Sequence, residues 1–533
     1  MLLRRRRWIV IMTRTLFSCA GALLLTTGWA IDAASCTSIT VGKKASTDGS
    51  VMTSHTCDSH RTGSGIHKVP AARHQLGTEI TLTKRTDDDS GPMQRYGRET
   101  TGTLPQVEQT HGYLNPAYAA MNEHQVAISE STFGGREELV STAGAIDCET
   151  LTRLMLERAR TAREAITVAG ELLAEHGWVD EGEALVITDP HEAWMFEVVG
   201  PGADKVGAVW AAQRVPDDHV TVMANCSRIG EIDRTDAELF MASDTVESVA
   251  AELGFWDPES GEPFSFWQAY DPEGNYSFSC SRRVWRIFDL LAPSLELHAN
   301  RSVFPFSVRV ETEVSPGKIM ELLRDTYEDT DYDPVKNLTV TDDDGQTVKS
   351  PLANPFMPYD MNKLLKTNGG WGWRGERPIA RWYCMYATVT QSRSWLPGEV
   401  GGIVWFGYSN PAMTTYVPLY AGIASLPESY MTDGRTTGFS RESAWWAFNR
   451  VATLAAQRWG EMRHDVAEVR DPLQQAYLER QPEVDRRATE LLAEDPEAAR
   501  AWLTELSTAA CLEVTEAYWR LGDHLWTKYD EKW

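Results

Sequence analysis

The sequence predicts an α+β fold in which antiparallel strands and long helices stack in layers. Three observations carry that expectation. Apolar runs at 184–188, 193–199 and 206–213 are joined by the turns Asp189-Pro190 and Gly200-Pro201-Gly202, the pattern of an antiparallel meander. Just before them, residues 148–177 have helical spacing in two parts, with a capping box at Thr161 and Glu164 and a stop at Gly177. Finally, 42% hydrophobic content in 533 residues supplies a large core and excludes disorder for most of the chain.

Other strands and helices are marked in turn along the chain. Residues 37–41 (TSITV) and 50–54 predict two strands joined by a turn at Asp48-Gly49, with Cys36 opening the first. HQVAIS at 124–129 predicts another strand, and 220–224 one more in the meander region. Asp244 is placed to cap a helix ending at Gly254. A loop marked by Asp257-Pro258 and Glu262-Pro263 carries Phe255, Trp256, Phe264, Phe266 and Trp267, which need a partner surface. Pro316 opens a helix over 316–326, and 381–391 and 402–408 are aromatic-rich strands. After Glu442 apolar residues fall at helical spacing, as in Leu503, Leu506, Ala510, Val514, Tyr518, Leu521 and Leu525, with breaks expected at Pro472, Pro482 and Pro496. The expected division is a leader at 1–35, a main domain at 36–440 and a helical C-terminal region at 441–533.

Charge narrows the function. With 51 Lys and Arg against 76 Asp and Glu, the net charge of -25 repels phosphate backbones and anionic lipid heads, which argues against a nucleic-acid partner. Residues 1–35 have their own layout. Arg4, Arg5, Arg6, Arg7 and Arg14 precede an uncharged stretch at 15–31, and Ala33, Ala34 and Ser35 come after it, as in a secretory signal peptide. With Thr26, Thr27 and Gly28 inside it, this stretch is weak for a membrane span of about 20 residues, so export to the periplasm or beyond is expected rather than stable anchoring. A start at Met12 would give the same mature chain, with 46 basic groups against 75 acidic.

Cleavage after Ser35 would make Cys36 the first residue. Three chemistries are then open to it: lipidation, for which Ala33 stands where Leu is usual, a disulfide, or nucleophilic attack. The last needs no neighbouring histidine, because an α-amine titrates near about 7.7–8.0 and can take the thiol proton at neutral pH. Six other cysteines lie further along, Cys57, Cys148, Cys226, Cys280, Cys384 and Cys511, in no zinc-ligand spacing. His55, Asp58, His60, His67 and His74 match no standard metal motif, and the EF-hand-like start at Asp329, Asp331 and Asp333 fails at Pro334 and Val340. Neither a metal nor another cofactor is expected. Candidates for oxyanion donation and for holding the amine are Asp58 in HTCD, Asn122 in MNEHQVAISEST, Asn225 in MANCSRI and Arg282 in CSRRVWR. On residue type alone they read equally well as a cap, two turn residues and a surface charge.

The segments CTSITVGKKASTDGSVMTSHTCD, GYLNPAYAAMNEHQVAISEST, ALVITDPHEAWMFEVVG, WAAQRVPDDHVTVMANCSRI and RPIARWYCMYATVTQSRSWLP, in that order, resemble the cysteine dipeptidases of the peptidase-D type, the sixty-ninth cysteine-peptidase family among the N-terminal-nucleophile hydrolases. The resemblance runs from Cys36 to about Tyr420. It implies a four-layer αββα sandwich and metal-independent hydrolysis of dipeptides. It makes Cys36 the nucleophile and its freed amine the base, with Asp58 holding amine and thiol, Asn122 in the oxyanion hole, and Asn225 and Arg282 as supporting groups like those of the bile-salt and penicillin acylases. His55, a substrate-binding candidate, departs from those acylases, which carry arginine three residues before the aspartate, so recognition of a substrate end there does not rest on a fixed positive charge. Glu130, in SEST, is a candidate partner for the substrate ammonium, or else a strand-end charge. The expected reaction is thiolate attack on a small peptide, an acyl-enzyme, and release by water. An acylase on the same fold, and an exported binding protein without catalysis, are the alternatives; the oligomeric state is not legible.

Overall fold

The computed structural model describes residues 36–356 and 377–532, so the expected leader lies outside the described residues. Two antiparallel sheets organise the chain from Cys36 onward. The first runs, edge to edge, Ser307–Arg309, His219–Met223, Ser38–Val41, Val51–Asp58, Cys384–Ser392, Ile403–Tyr408 and Val417–Tyr420. The second runs Phe240–Ala242, Val209–Val215, Ala193–Val199, Gly182–Thr188, Ala127–Gly134, Met121–Asn122, Tyr113–Asn115 and His67–Val69. They meet where Thr53 Oγ1 and Ser129 Oγ share a hydrogen bond of 2.9 Å and Ser38 Oγ donates to the Glu130 carbonyl. Nearly every residue of the central strands is buried, which explains their continuous apolar and small-polar character.

The expected meander is present, with Glu183 opposite Val198 and Val199 opposite Val209. The strand at His219–Met223, however, leaves it. A short turn carries the chain across to the first sheet, where Val222 pairs with Ile39. Alternation within a strand reports burial, not which sheet receives it. The HQVAIS strand also starts later, at Ala127, because residues 123–126 form the turn of a tight hairpin.

Helices Cys148–Arg158 and Ala162–His176 pack against the second sheet, and Phe278–Leu291 and Pro316–Leu323 against the first. Their ends obey the local signals. Thr161 Oγ1 accepts from Glu164 N at 3.1 Å, and the Glu164 carboxylate reaches back to Arg160 N at 2.7 Å. Gly177 ends that helix at φ 72°, a left-handed conformation that costs glycine nothing. Ser315 caps the helix opened by Pro316. Asp244 does not cap: the short helix begins at Ser248, and Asp244 pairs instead with Arg234.

The aromatic loop finds its partner surface. Phe264 and Phe266 join Tyr270, Val246 and Ile229 in a small core beside the meander. At the C-terminus, Ala444–Ala455 and Pro496–Lys528 cover the first sheet at Ile403–Tyr408 and Val417–Tyr420. Of the three expected breaks only Pro496 is one, in the first turn of its helix; Pro472 and Pro482 sit inside the continuous helix Trp459–Glu494. Tertiary contacts hold it through both prolines. Gln474 accepts from Tyr416 N and donates to its carbonyl, and Asp485 pairs with buried Arg393. A hairpin, Glu79–Asp88 with Arg95–Pro105, was not anticipated; its strands are rich in Thr, Arg and Asp and carry little apolar alternation.

Loss of the Thr161 cap should cost about 1 kcal/mol. Thr161→Ala is therefore expected to lower the urea midpoint without changing the slope, and an unchanged midpoint would show that the cap contributes nothing.

Candidate active site

Cys36 stands directly before the first strand, fully buried. Its Sγ donates to Glu130 Oε1 at 2.9 Å, and His55 Nε2 lies 3.0 Å from the same oxygen. The backbone explains the meeting. Thr37 bridges Thr56, so Cys36 adjoins Cys57 and the His55 side chain emerges on the face toward the second sheet. Strands Ser38–Val41 and Val51–Asp58 pack on the Ala127–Gly134 strand that carries Glu130. The rings of Tyr118 and Tyr386 stand edge-on to His55, with centroids at 5.8 and 5.6 Å.

Burial and the adjacent Glu130 charge push the Cys36 thiol well above its ordinary range. Burial acts on Glu130 in the same direction, but hydrogen bonds and charge from His55, with the bond from Cys36, hold its carboxylate below its usual value. The pair is thus a neutral thiol donating to an ionised carboxylate. Among the described residues the second oxygen, Oε2, has no hydrogen-bond partner. A second buried carboxyl, Glu183, is pushed upward by burial and by Glu130 itself, and accepts from Thr132 Oγ1 at 2.7 Å.

A guanidinium holds the other side of Cys36. Arg283 Nη1 donates to the Cys36 carbonyl at 2.7 Å and to Thr37 Oγ1 at 2.8 Å, while Nη2 reaches the Ala224 carbonyl and Asn225 Oδ1 at 2.9 and 2.8 Å. Asn225 has φ 58°, a left-handed position that asparagine tolerates, and its Nδ2 donates to the Thr132 carbonyl at 2.6 Å. Ser131 Oγ accepts from Asn225 N and donates to the Cys36 carbonyl. Two residues on, Ser227 anchors the loop: its N donates to Asp271 and its hydroxyl to Glu197. Both carboxyls are buried, which raises Glu197 to about 7 and Asp271 to about 8.

Of the residues anticipated from sequence, the fold brings together Cys36, His55, Glu130 and Asn225. Asp58 ends the Val51–Asp58 strand beside them, near enough for its charge to act on the Cys36 thiol. It is ion-paired with Arg377, and burial raises its carboxyl against that pairing. Asn122 is engaged elsewhere. Its two N–H groups cap the Leu156 and Ala159 carbonyls at 2.9 and 2.8 Å, and its Oδ1 accepts from His124 N and Val126 N, so it has no N–H left for an oxyanion. Arg282 is also elsewhere: it donates to the Ala299 carbonyl and lies over the Tyr332 ring at 3.5 Å. The residue at the site is Arg283, one position along. Helical spacing carried the signal, since Arg283 lies three after Cys280 and four before buried Ile287, whereas Arg282 shares a face with Phe278 and Trp285. Ser131 and Thr37 were missed for lack of any such signal.

A thiol, a carboxylate, an imidazole and a guanidinium converge here, the residue types from which a thiol hydrolase is built. Residues 35–471 match peptidase family C69. The chain belongs to that family. It is 26% identical over 398 residues to a probable dipeptidase of Salmonella dublin, covering 73% of this chain and 81% of that protein. Over 444 residues it is 24% identical to a probable dipeptidase of Latilactobacillus sakei, covering 81% and 83%. With probable dipeptidase B of Streptococcus pyogenes serotype M1 the match extends over 500 residues at 22% identity, covering 91% and 92%.

The raised carboxyls at Glu197 and Asp271 give a pH dependence with a definite sign. The unfolded chain releases these protons near about 4, whereas the folded chain keeps them until about 7 and 8. Over that interval the native state binds more protons, so stability falls as pH rises. The urea midpoint should drop between pH 5 and pH 8, and Glu197→Gln should flatten the drop; parallel curves for the two proteins would refute the assignment.

Proposed function

We propose that the chain is an exported dipeptidase acting through Cys36 as an N-terminal nucleophile. The observation that carries the reading is Glu130 Oε1 at 2.9 Å from Cys36 Sγ. In a dipeptide the free ammonium is one carbon from the carbonyl under attack, so a carboxylate that reads the ammonium must stand beside the nucleophile. Glu130 does, it is ionised, and its Oε2 faces no partner among the described residues. An acylase would instead place an acyl chain against this carboxylate, at a desolvation cost with no compensating pair. The three relatives, each named a probable dipeptidase, agree with this substrate class.

Burial and the Glu130 charge keep the thiol neutral, and while Cys36 remains in amide linkage its nitrogen is no base that could take the proton. Cleavage after Ser35 would free an α-amine one bond from Cα, able to take the Sγ proton and pass it to the leaving amine. The thiolate then attacks the peptide carbonyl, the second amino acid departs, and water releases the first from the thioester. Asp58, whose charge acts on the Cys36 thiol, takes the role of holding the amine; Arg283 and Ser131 hold the Cys36 carbonyl, and Asn225 holds both of them. His55 orients Glu130. Two sheets in contact with helices packed against each support the αββα sandwich of N-terminal-nucleophile hydrolases, with 441–533 as a helical addition.

The test begins with intact mass and N-terminal sequence of the exported protein, and then dipeptide turnover. A free Cys36 terminus, with turnover abolished in Cys36→Ala, is expected; a chain retaining Ser35 with equal turnover in both proteins would sink the mechanism. Blocking the ammonium discriminates further: N-acetyl dipeptides should be poor substrates, and equal rates for both would remove Glu130 from ammonium recognition and favour the acylase. Arg283→Ala should lower kcat by roughly 10²-fold, the scale of a misplaced reacting group, while Arg282→Ala stays within a few-fold. The reverse order would return the role to Arg282.

A further inference from the structure

On the far side of the Asn122 hairpin lies a second convergence of chemistry-bearing side chains. Tyr113 pairs with Asn122 and Leu114 with Met121; continuing that ladder sets Gly112 against Glu123, confirmed by Glu123 N donating to the Gly112 carbonyl at 2.8 Å, and His111 against His124. His111 Nδ1 lies 3.1 Å from His124 Nε2 and 3.6 Å from Glu123 Oε1. All three donor atoms fall within 4.8 Å of one another. Around a tetrahedral ion with metal–ligand bonds of about 2.0–2.2 Å, neighbouring donors stand about 3.3–3.6 Å apart. The separations of 3.1 and 3.6 Å stand close to that edge, and the third is within 4.8 Å.

The backbone under these ligands is fixed. Asn122 ties the turn to the end of helix Cys148–Arg158 through two hydrogen bonds from Nδ2 and braces the turn itself through two accepted by Oδ1, and His111 N donates to the Glu157 carbonyl at 2.8 Å. His111 is almost wholly buried, while Glu123 and His124 line a cavity of about 460 Å³ that also meets Lys68, Glu399 and Arg500. The cavity provides room for a water at an open fourth position. Lys68 is turned away to the Ala421 carbonyl at 2.7 Å. Two imidazoles with one carboxylate suit a borderline transition ion and not calcium or magnesium, which require more oxygen ligands.

We propose that His111, Glu123 and His124 form a binding site for one divalent ion of the zinc type, apart from the Cys36 cluster. The site is independent of the dipeptidase reading. Its test uses the full mature chain with the Cys36→Ala background, stripped with chelator and titrated with Zn²⁺ by calorimetry and with Co²⁺ by absorption. One equivalent should bind, the Co²⁺ complex should show the intense visible bands of a tetrahedral site without thiolate charge transfer, and Glu123→Gln and His124→Gln should each weaken binding by roughly tenfold or more. Melting curves establish that each variant is folded, and Glu123→Gln, at the half-exposed tip, decides if His124→Gln is not. Absence of stoichiometric binding, a thiolate charge-transfer band, or unchanged affinity in a folded variant would overturn the proposal.

Discussion

The ionised carboxylate of Glu130, buried without solvent contact, constrains everything around it. Desolvating such a charge costs several kcal/mol unless donors surround it. Here the donors come from separate parts of the chain, the Cys36 thiol and the His55 ring, and converge on the strand that carries Glu130 itself. The two sheets must therefore meet in one register, because a slip of one residue in either strand would turn His55 or Glu130 away and leave the charge alone. Burial and the charge of that same carboxylate keep the thiol protonated.

Arg283 imposes the complementary constraint from the helix side. A buried guanidinium also needs its donors satisfied, and Arg283 spends them on Ser279, Cys36, Thr37, Ala224 and Asn225. It thereby ties helix Phe278–Leu291 to the start of one strand and the end of another. Burial together with neighbouring Arg377 lowers its own proton affinity to about 10, still far enough above neutrality to remain charged. The backbone at Cys36 is held by this cation while the side chain is held by an anion, which orients the thiol without any exposed support.

Much of the local structure was legible because local signals decide it. The capping box at Thr161, the stop at Gly177 and the proline start at Pro316 all appear where short-range hydrogen bonding requires them. The failures have physical causes too. Pro472 and Pro482 lie within one helix because its contacts to Tyr416 and Arg393 outweigh two lost backbone bonds. Val222 joined the other sheet because alternation is blind to partner choice. Asn122, in a polar turn beside a strand, takes an oxyanion role from the family resemblance, yet its amide closes a helix end thirty-four residues away in sequence.

The sequence by itself determined the class: order and spacing of the segments from Cys36 onward, the helix ends at Thr161, Gly177 and Pro316, most strand runs, and the placing of Cys36, Asp58, Asn225 and Glu130 among the candidates. Only the tertiary structure decided which arginine of the pair 282–283 faces Cys36, since one residue turns a helix by about 100°. It alone placed His55 on Glu130, and His111 across a ladder from His124. Such contacts depend on sheet register and helix rotation, which sum many weak packing terms over long separations, whereas caps and turns depend on a few neighbouring residues.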